Sequence, residues 1–272
     1  PLAIGAVLVV VAFSSQSQRR LLQETIIVVR RVSWEHGCKE WAQAWRRRDA
    51  VAFLFLWLAV VIAAWWSERP RCGTATITFV PVALVAILSA IVLVLTHGVV
   101  TICRSLVDMV DAFCCDIVGI MALREMEETW SLTHAVLQKA AADVEKSMLV
   151  FSSILALTVP ALVADLVRPG LRRAELSALV PGLLIAFGLL YAIVLAGMVS
   201  EKCARIPALI NTIPIGPGSE RARRHMVEYI GNAAAGFYVF DVRVSMTTAM
   251  KLSYVWFLLA TGVLVRAASL FA

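Results

Sequence analysis

The chain has 272 residues, of which 60% are hydrophobic and only 16% charged, and its mean hydropathy is +0.82. Soluble domains are closer to half apolar and about a quarter charged, so composition excludes a water-soluble globular domain and indicates a membrane protein. The net charge of +6 does not indicate a nucleic-acid partner, because the basic residues sort by segment, as set out below.

Residues 1–13 are a continuous apolar run ending at Ser14-Ser15-Gln16. Thirteen helical residues reach about 20 Å, short of a hydrocarbon core of about 30 Å. No basic region precedes the run, as a signal peptide would require. It reads as the inner end of a transmembrane helix that starts upstream, which makes the sequence a C-terminal fragment. Residues 14–49 read as a basic cytosolic loop. Residues 50–122 hold two spans: 50–67 is free of charge, and 72–103 has no Asp, Glu, Lys or Arg. The second continues past Arg104 with no breaker before Gly119.

Residues 123–212 hold two more spans, uncharged at 147–164 and 177–200. Leu123, Met126, Trp130, Leu137, Ala140 and Val144 alternate at three- and four-residue spacing, with only Thr133 breaking the apolar face. This predicts one helix from Leu123 to Val167. The next span is expected to run to Ile206, just before Pro207. Residues 213–244 combine a Pro- and Gly-rich turn with a short basic helix from Ser219, a suitable N-cap, to Asn232. Residues 245–272 form the last span. Its apolar run, 252–265, is short and Arg266 interrupts it, so it is the weakest by hydropathy.

Basic residues set the orientation. Segments 14–49, 104–146 and 201–251 hold nineteen Lys and Arg, and the alternate set holds six. The excess places the long segments in the cytoplasm. Three helices then project below the membrane with apolar stripes. They either pack as a cytosolic bundle or lie on the inner leaflet, and direct continuity with a spanning helix favours the bundle. The fold class is thus all-α: a polytopic transmembrane bundle with six spans of seven present and cytosolic helical extensions. The six cysteines form no CxxC pair and no disulfide framework.

Two short stretches carry a family resemblance. The first is Ala234-Ala235-Gly236-Phe237-Tyr238 with Asp241 nearby. The second is Ser253-Tyr254 followed by five apolar residues, Val255 to Leu259. The region resembles the insect-type gustatory receptor family, which is allied to the insect odorant receptors. Ser253 replaces the family's Thr, and Ala260-Thr261 departs from its Gln-Phe pair, so the match is to a divergent member. The resemblance implies a plasma-membrane ligand-gated, non-selective cation channel built as a homo- or hetero-tetramer. Its ligand would be a small-molecule tastant, and the final helix would line the pore. The implied pore and gate positions are Tyr254, Phe257, Ala260, Thr261 and Leu264. A packing role within the same subunit is the competing reading of that face.

The implied ligand site lies in the outer halves of the earlier spans. Trp57, Phe79, Phe187 and Tyr191 supply apolar walls there, and Thr158 and Asp165 supply polar groups. Trp65 and Trp66 read instead as an interfacial aromatic belt, and Asp165 has a bland alternative as a partner of Arg168. A secondary transporter is the second class of function; Pro81, Pro160 and Pro181 suit it, but no internal repeat is visible. A G-protein-coupled receptor would begin outside, opposite to the charge pattern. No enzyme, metal site or cofactor is expected, because His36, His97, His134 and His225 form no cluster with carboxylates or thiols.

Overall fold

A computed structural model describes residues 39–68, 75–118, 123–167, 180–213, 220–233, 235–239 and 242–271. Its helices are α1 (Lys39–Glu68), α2 (Ala75–Val118), α3 (Leu123–Val167), α4 (Val180–Thr212), α5 (Glu220–Asn232) and α6 (Met246–Phe271). One antiparallel hairpin, β1 (Tyr238–Val239) and β2 (Val242–Arg243), precedes α6. Among the described residues three helices are long and apolar enough to cross a membrane, over Arg48–Trp66, Val82–Ile117 and Gly182–Thr212. The protein is therefore a helical membrane protein in its described part.

Local sequence explains where the helices run. No Gly or Pro interrupts 39–68, and Lys39, Glu40, Ala42, Gln43 and Ala44 are strong helix formers. The helix accordingly starts at Lys39, so residues 39–49 are not loop, as the charge run had suggested. α3 has the bounds expected from its three-four spacing. α4 does not stop before Pro207 but continues to Thr212. Proline there removes one backbone hydrogen bond, yet Ile206 and Ile210 on either side are fully buried. Their packing holds the final turn in place. α6 also passes without a break through Arg266.

Paired residues fix the helix directions. Trp57 meets Ala86, Phe53 meets His97 and Asp49 meets Arg104; numbers fall on α1 as they rise on α2, so the two are antiparallel. Gly188 faces Leu93, Tyr191 meets Arg104 and Lys202 pairs with Asp111, so α2 and α4 run parallel. α4 is the centre of the bundle and packs on α1, α2, α3, α5 and α6. Gly188, Ala192, Ala196 and Ser200 recur every fourth residue along it, and all are buried. Small residues at this spacing let helix backbones approach closely.

From Met126 to Val144 the predicted stripe on α3 faces inward. Met126, Trp130, Thr133, Leu137, Ala140 and Val144 are all buried, Thr133 included. Trp130 lies 5.2 Å from Phe113 of α2, ring to ring. The stripe thus packs against protein along its length, and the polar Thr133 fits because its neighbours supply the burial.

Candidate functional site

Two polar constellations and the exposed outer face of α6 bear on function in this apolar bundle; among the described residues α1 carries a comparable exposed face at Leu54, Phe55, Leu58, Ile62 and Trp66. The first joins α1, α2 and α4. Asp49 is almost fully buried, and its carboxylate pairs with Arg104 Nε at 2.7 Å. Arg104 Nη2 donates to the Tyr191 hydroxyl. A buried charge must be paired or it is strongly unfavourable, and here one guanidinium serves two other helices. His97 lies two turns from Arg104 on α2 and stacks at an angle on Phe53, 5.4 Å between ring centres. Its Nδ1 is buried and meets no hydrogen-bond partner among the described residues. Asp49 and Trp66 are 17 positions apart on α1, a rise of about 25 Å. The junction and the Trp65–Trp66 pair thus sit nearly one hydrocarbon thickness apart.

The second constellation fastens the hairpin to α4. Phe237 N donates to Ser200 Oγ at 3.0 Å. Arg243 Nη2 donates to the Ser200 carbonyl at 2.6 Å and to the Ala235 carbonyl at 3.0 Å. Val244 N closes the hairpin onto Phe237 O at 2.9 Å. Gly236 has φ +146°, and a Cβ there would lie 2.9 Å from Ser200 Oγ. Only glycine suits both demands. One turn up α4, a Cβ on Gly197 would lie 3.2 Å from the backbone of Ser245 and Met246. Ser245 caps α6 by accepting from Thr248 N at 3.2 Å, so the root of α6 rests directly on α4.

The third feature is the outward face of α6. Met250, Tyr254, Phe257, Leu258, Thr261 and Val265 are exposed, whereas Ala249 and Trp256 are buried. The Thr261 hydroxyl donates to the Phe257 carbonyl at 2.8 Å, which satisfies it within the helix. Ser253 does the same with Ala249 O at 2.9 Å. Ala260 is half-buried.

The residues expected to line the ligand site are placed as follows. Trp57 is half-buried, and its ring N–H donates to the Ala86 carbonyl at 3.0 Å. Phe187 is exposed on α4 and Tyr191 is half-buried against Arg104. The side chains of Phe79, Thr158, Asp165 and Leu264 lie outside the described residues, as does Asp241. Of the described ligand-site residues, Trp57, Phe187 and Tyr191, none lines either of two clefts on α3. One, of about 500 Å³, is bounded by His134, His225, Glu228, Tyr229, Asn232 and Ala233. The other, of about 260 Å³, includes Gln138, Glu145, Gly236 and Tyr238. His134 Nε2 donates to Ala233 O at 2.7 Å between the two clefts. Among the described residues no group of three His, Cys, Asp or Glu side chains converges as a metal site.

Sequence reasoning missed the hairpin and the charge junction. Phe237-Tyr238-Val239-Phe240 and Val242, Val244 carry the aromatic and β-branched character of strands, which was the available signal. Arg104 had been counted only as an inner positive charge. Its position directly after the uncharged run 72–103, with Asp108, Asp111 and Asp116 following on the same helix, was the hint that it needed a partner. No protein-family model and no curated protein sequence matches the chain.

Proposed function

We propose that this protein is a gustatory-type chemoreceptor acting as a ligand-gated, non-selective cation channel in the plasma membrane. Four copies, identical or mixed, surround a pore lined by α6, and a small tastant binds in the outer half of each bundle. The observation that carries this reading is the outward face of α6. Tyr254, Phe257 and Thr261, three of the positions implied by the resemblance, lie on a face that the described residues leave exposed. A contiguous exposed apolar face needs lipid or another subunit to cover it. The lengths of α2 and α3, 44 and 45 residues, correspond to about 65 Å, twice the hydrocarbon core. That excess supports helices that continue into the cytosol from a seven-span protein.

The test is patch-clamp recording of the full-length protein during a ligand screen. Ligand-evoked cation current supports the channel, and Leu264→Thr should raise basal current by wetting an apolar constriction. A silent, well-expressed protein removes the reading. A secondary transporter is the alternative, and the buried Asp49–Arg104 pair favours it, since charged groups inside spanning helices mark ion pathways. Saturable uptake without channel current would select the transporter.

A further inference from the structure

The clip between α4 and the hairpin lies apart from the positions assigned above to ligand binding and to the pore. Its position nonetheless gives it a mechanical one. α6 packs chiefly on α4 and secondarily on α3. Movement of α1 or α2 therefore reaches α6 mainly through α4. Along α4, Tyr191 holds the Asp49–Arg104 junction, and Ser200, nine residues further, holds the hairpin.

We propose that Ser200, Gly236, Phe237 and Arg243 form the joint that carries displacement of α4 into the first turn of α6, with Arg243 as the positioning residue. The geometry leaves little slack. One guanidinium nitrogen binds carbonyls on two elements, Ser200 on α4 and Ala235 at the hairpin entry. Arg243 pairs with Tyr238 across the hairpin. Val244 and the Ser245 cap then follow at once, and α6 starts at Met246. Backbone contact at Gly197 blocks compression on the same side. Among the described residues no carboxylate pairs with Arg243, so its bonding capacity is directed to these carbonyls. Where α6 is read as the moving pore helix, this inference rests on the channel reading; the joint itself does not.

The test uses the full-length chain in phosphatidylcholine nanodiscs and hydrogen exchange of a peptide covering residues 244–250. Exchange reports local opening without requiring conduction. Gly188→Val serves as a wedge, because a Cβ there already lies 3.3 Å from Leu56 and Leu93 side chains. Those leucine ends can give by a few tenths of an ångström, so the branched Val side chain, larger than a Cβ alone, is used to press α4 away from α1 and α2, about 18 Å from Ser200 along α4. The wedge should raise exchange at 244–250 several-fold in the native background. It should leave exchange unchanged relative to Arg243→Met alone, and Arg243→Lys should restore part of the response. Ser200→Ala, which removes the acceptor for Phe237 N, replaces Arg243→Met should that variant not fold, with the same expectation. An equal wedge effect with and without Arg243, or none in the native background, overturns the joint. Ligand-evoked current of the full-length protein is recorded in parallel. Coupled exchange without current keeps the joint and removes the channel; current without coupled exchange does the reverse.

Discussion

Gly236→Ala separates two physical demands that meet at one residue. The backbone at φ +146° lies where side chains with a Cβ are strained, at about 1–3 kcal/mol. The new methyl would also sit 2.9 Å from Ser200 Oγ and 3.2 Å from its Cβ. Those atoms are anchored by α4 and by the bond from Phe237 N, so overpacking adds about 1–3 kcal/mol. The sum is about 2–6 kcal/mol, and each 1.4 kcal/mol of it is about tenfold in the folding equilibrium. The assay is reversible unfolding of the purified chain in mixed micelles with increasing dodecyl sulfate. Repeating the substitution in a Ser200→Gly background removes the steric part and leaves the backbone part, so its cost should fall to about 1–3 kcal/mol. The remaining contact, Arg243 Nε at 3.3 Å, is the end of a flexible side chain and can yield. A cost below about 0.5 kcal/mol, the range of featureless sites, would refute the reasoning, as would strict additivity of the two substitutions.

Three further outcomes follow from the bundle, read by the same unfolding assay. Asp49→Ala should destabilise by about 3 kcal/mol because it strands the Arg104 charge, whereas Asp49→Ala with Arg104→Met should cost less than the sum of the singles; additivity would show that the pair is not coupled. Trp57→Phe should cost only about 0.6 kcal/mol, the average for interhelical hydrogen bonds within membranes, and a loss above about 3 kcal/mol would mean that the ring does more than reach Ala86. Trp130→Ala should cost about 3–5 kcal/mol, since the ring is fully buried beside Phe113 and His134; a change below about 1 kcal/mol would mean that the α3 stripe does not pack as described.

What the sequence made legible was whatever repeats with a helical period. The bounds of α3 and the inward face from Met126 to Val144 could be read because each position reinforces the next. Thr133, which breaks the apolar pattern, is nonetheless buried on that face. The end of α4 was misread because a single local rule, the dislike of helices for Pro207, was overruled by burial of Ile206 and Ile210, which is a property of the fold. Gly236 and Phe237 were noticed through resemblance, but their physical reason lies in Ser200, thirty-six residues earlier in the chain from Gly236. Asp49 and Arg104 were invisible as a pair for the same cause: no local pattern marks two charges that meet only after helices dock. The outward face of α6 was legible as a list of positions, while its lack of packing required the bundle.

The antiparallel pairing of α1 and α2 bears on how the protein is made. Asp49 and Arg104 belong to consecutive helices, so as the chain leaves the ribosome their charges can neutralise each other before α4 has been synthesised. Each helix alone would bring Asp49 or Arg104 to the bilayer without its counter-charge; inserted as a pair, these two neutralise each other. Tyr191 arrives nearly ninety residues after Arg104 and takes up a donor on a salt bridge already formed. Substitutions at Asp49 should therefore register first as poor membrane integration of the nascent chain, before any defect in the finished molecule can be measured.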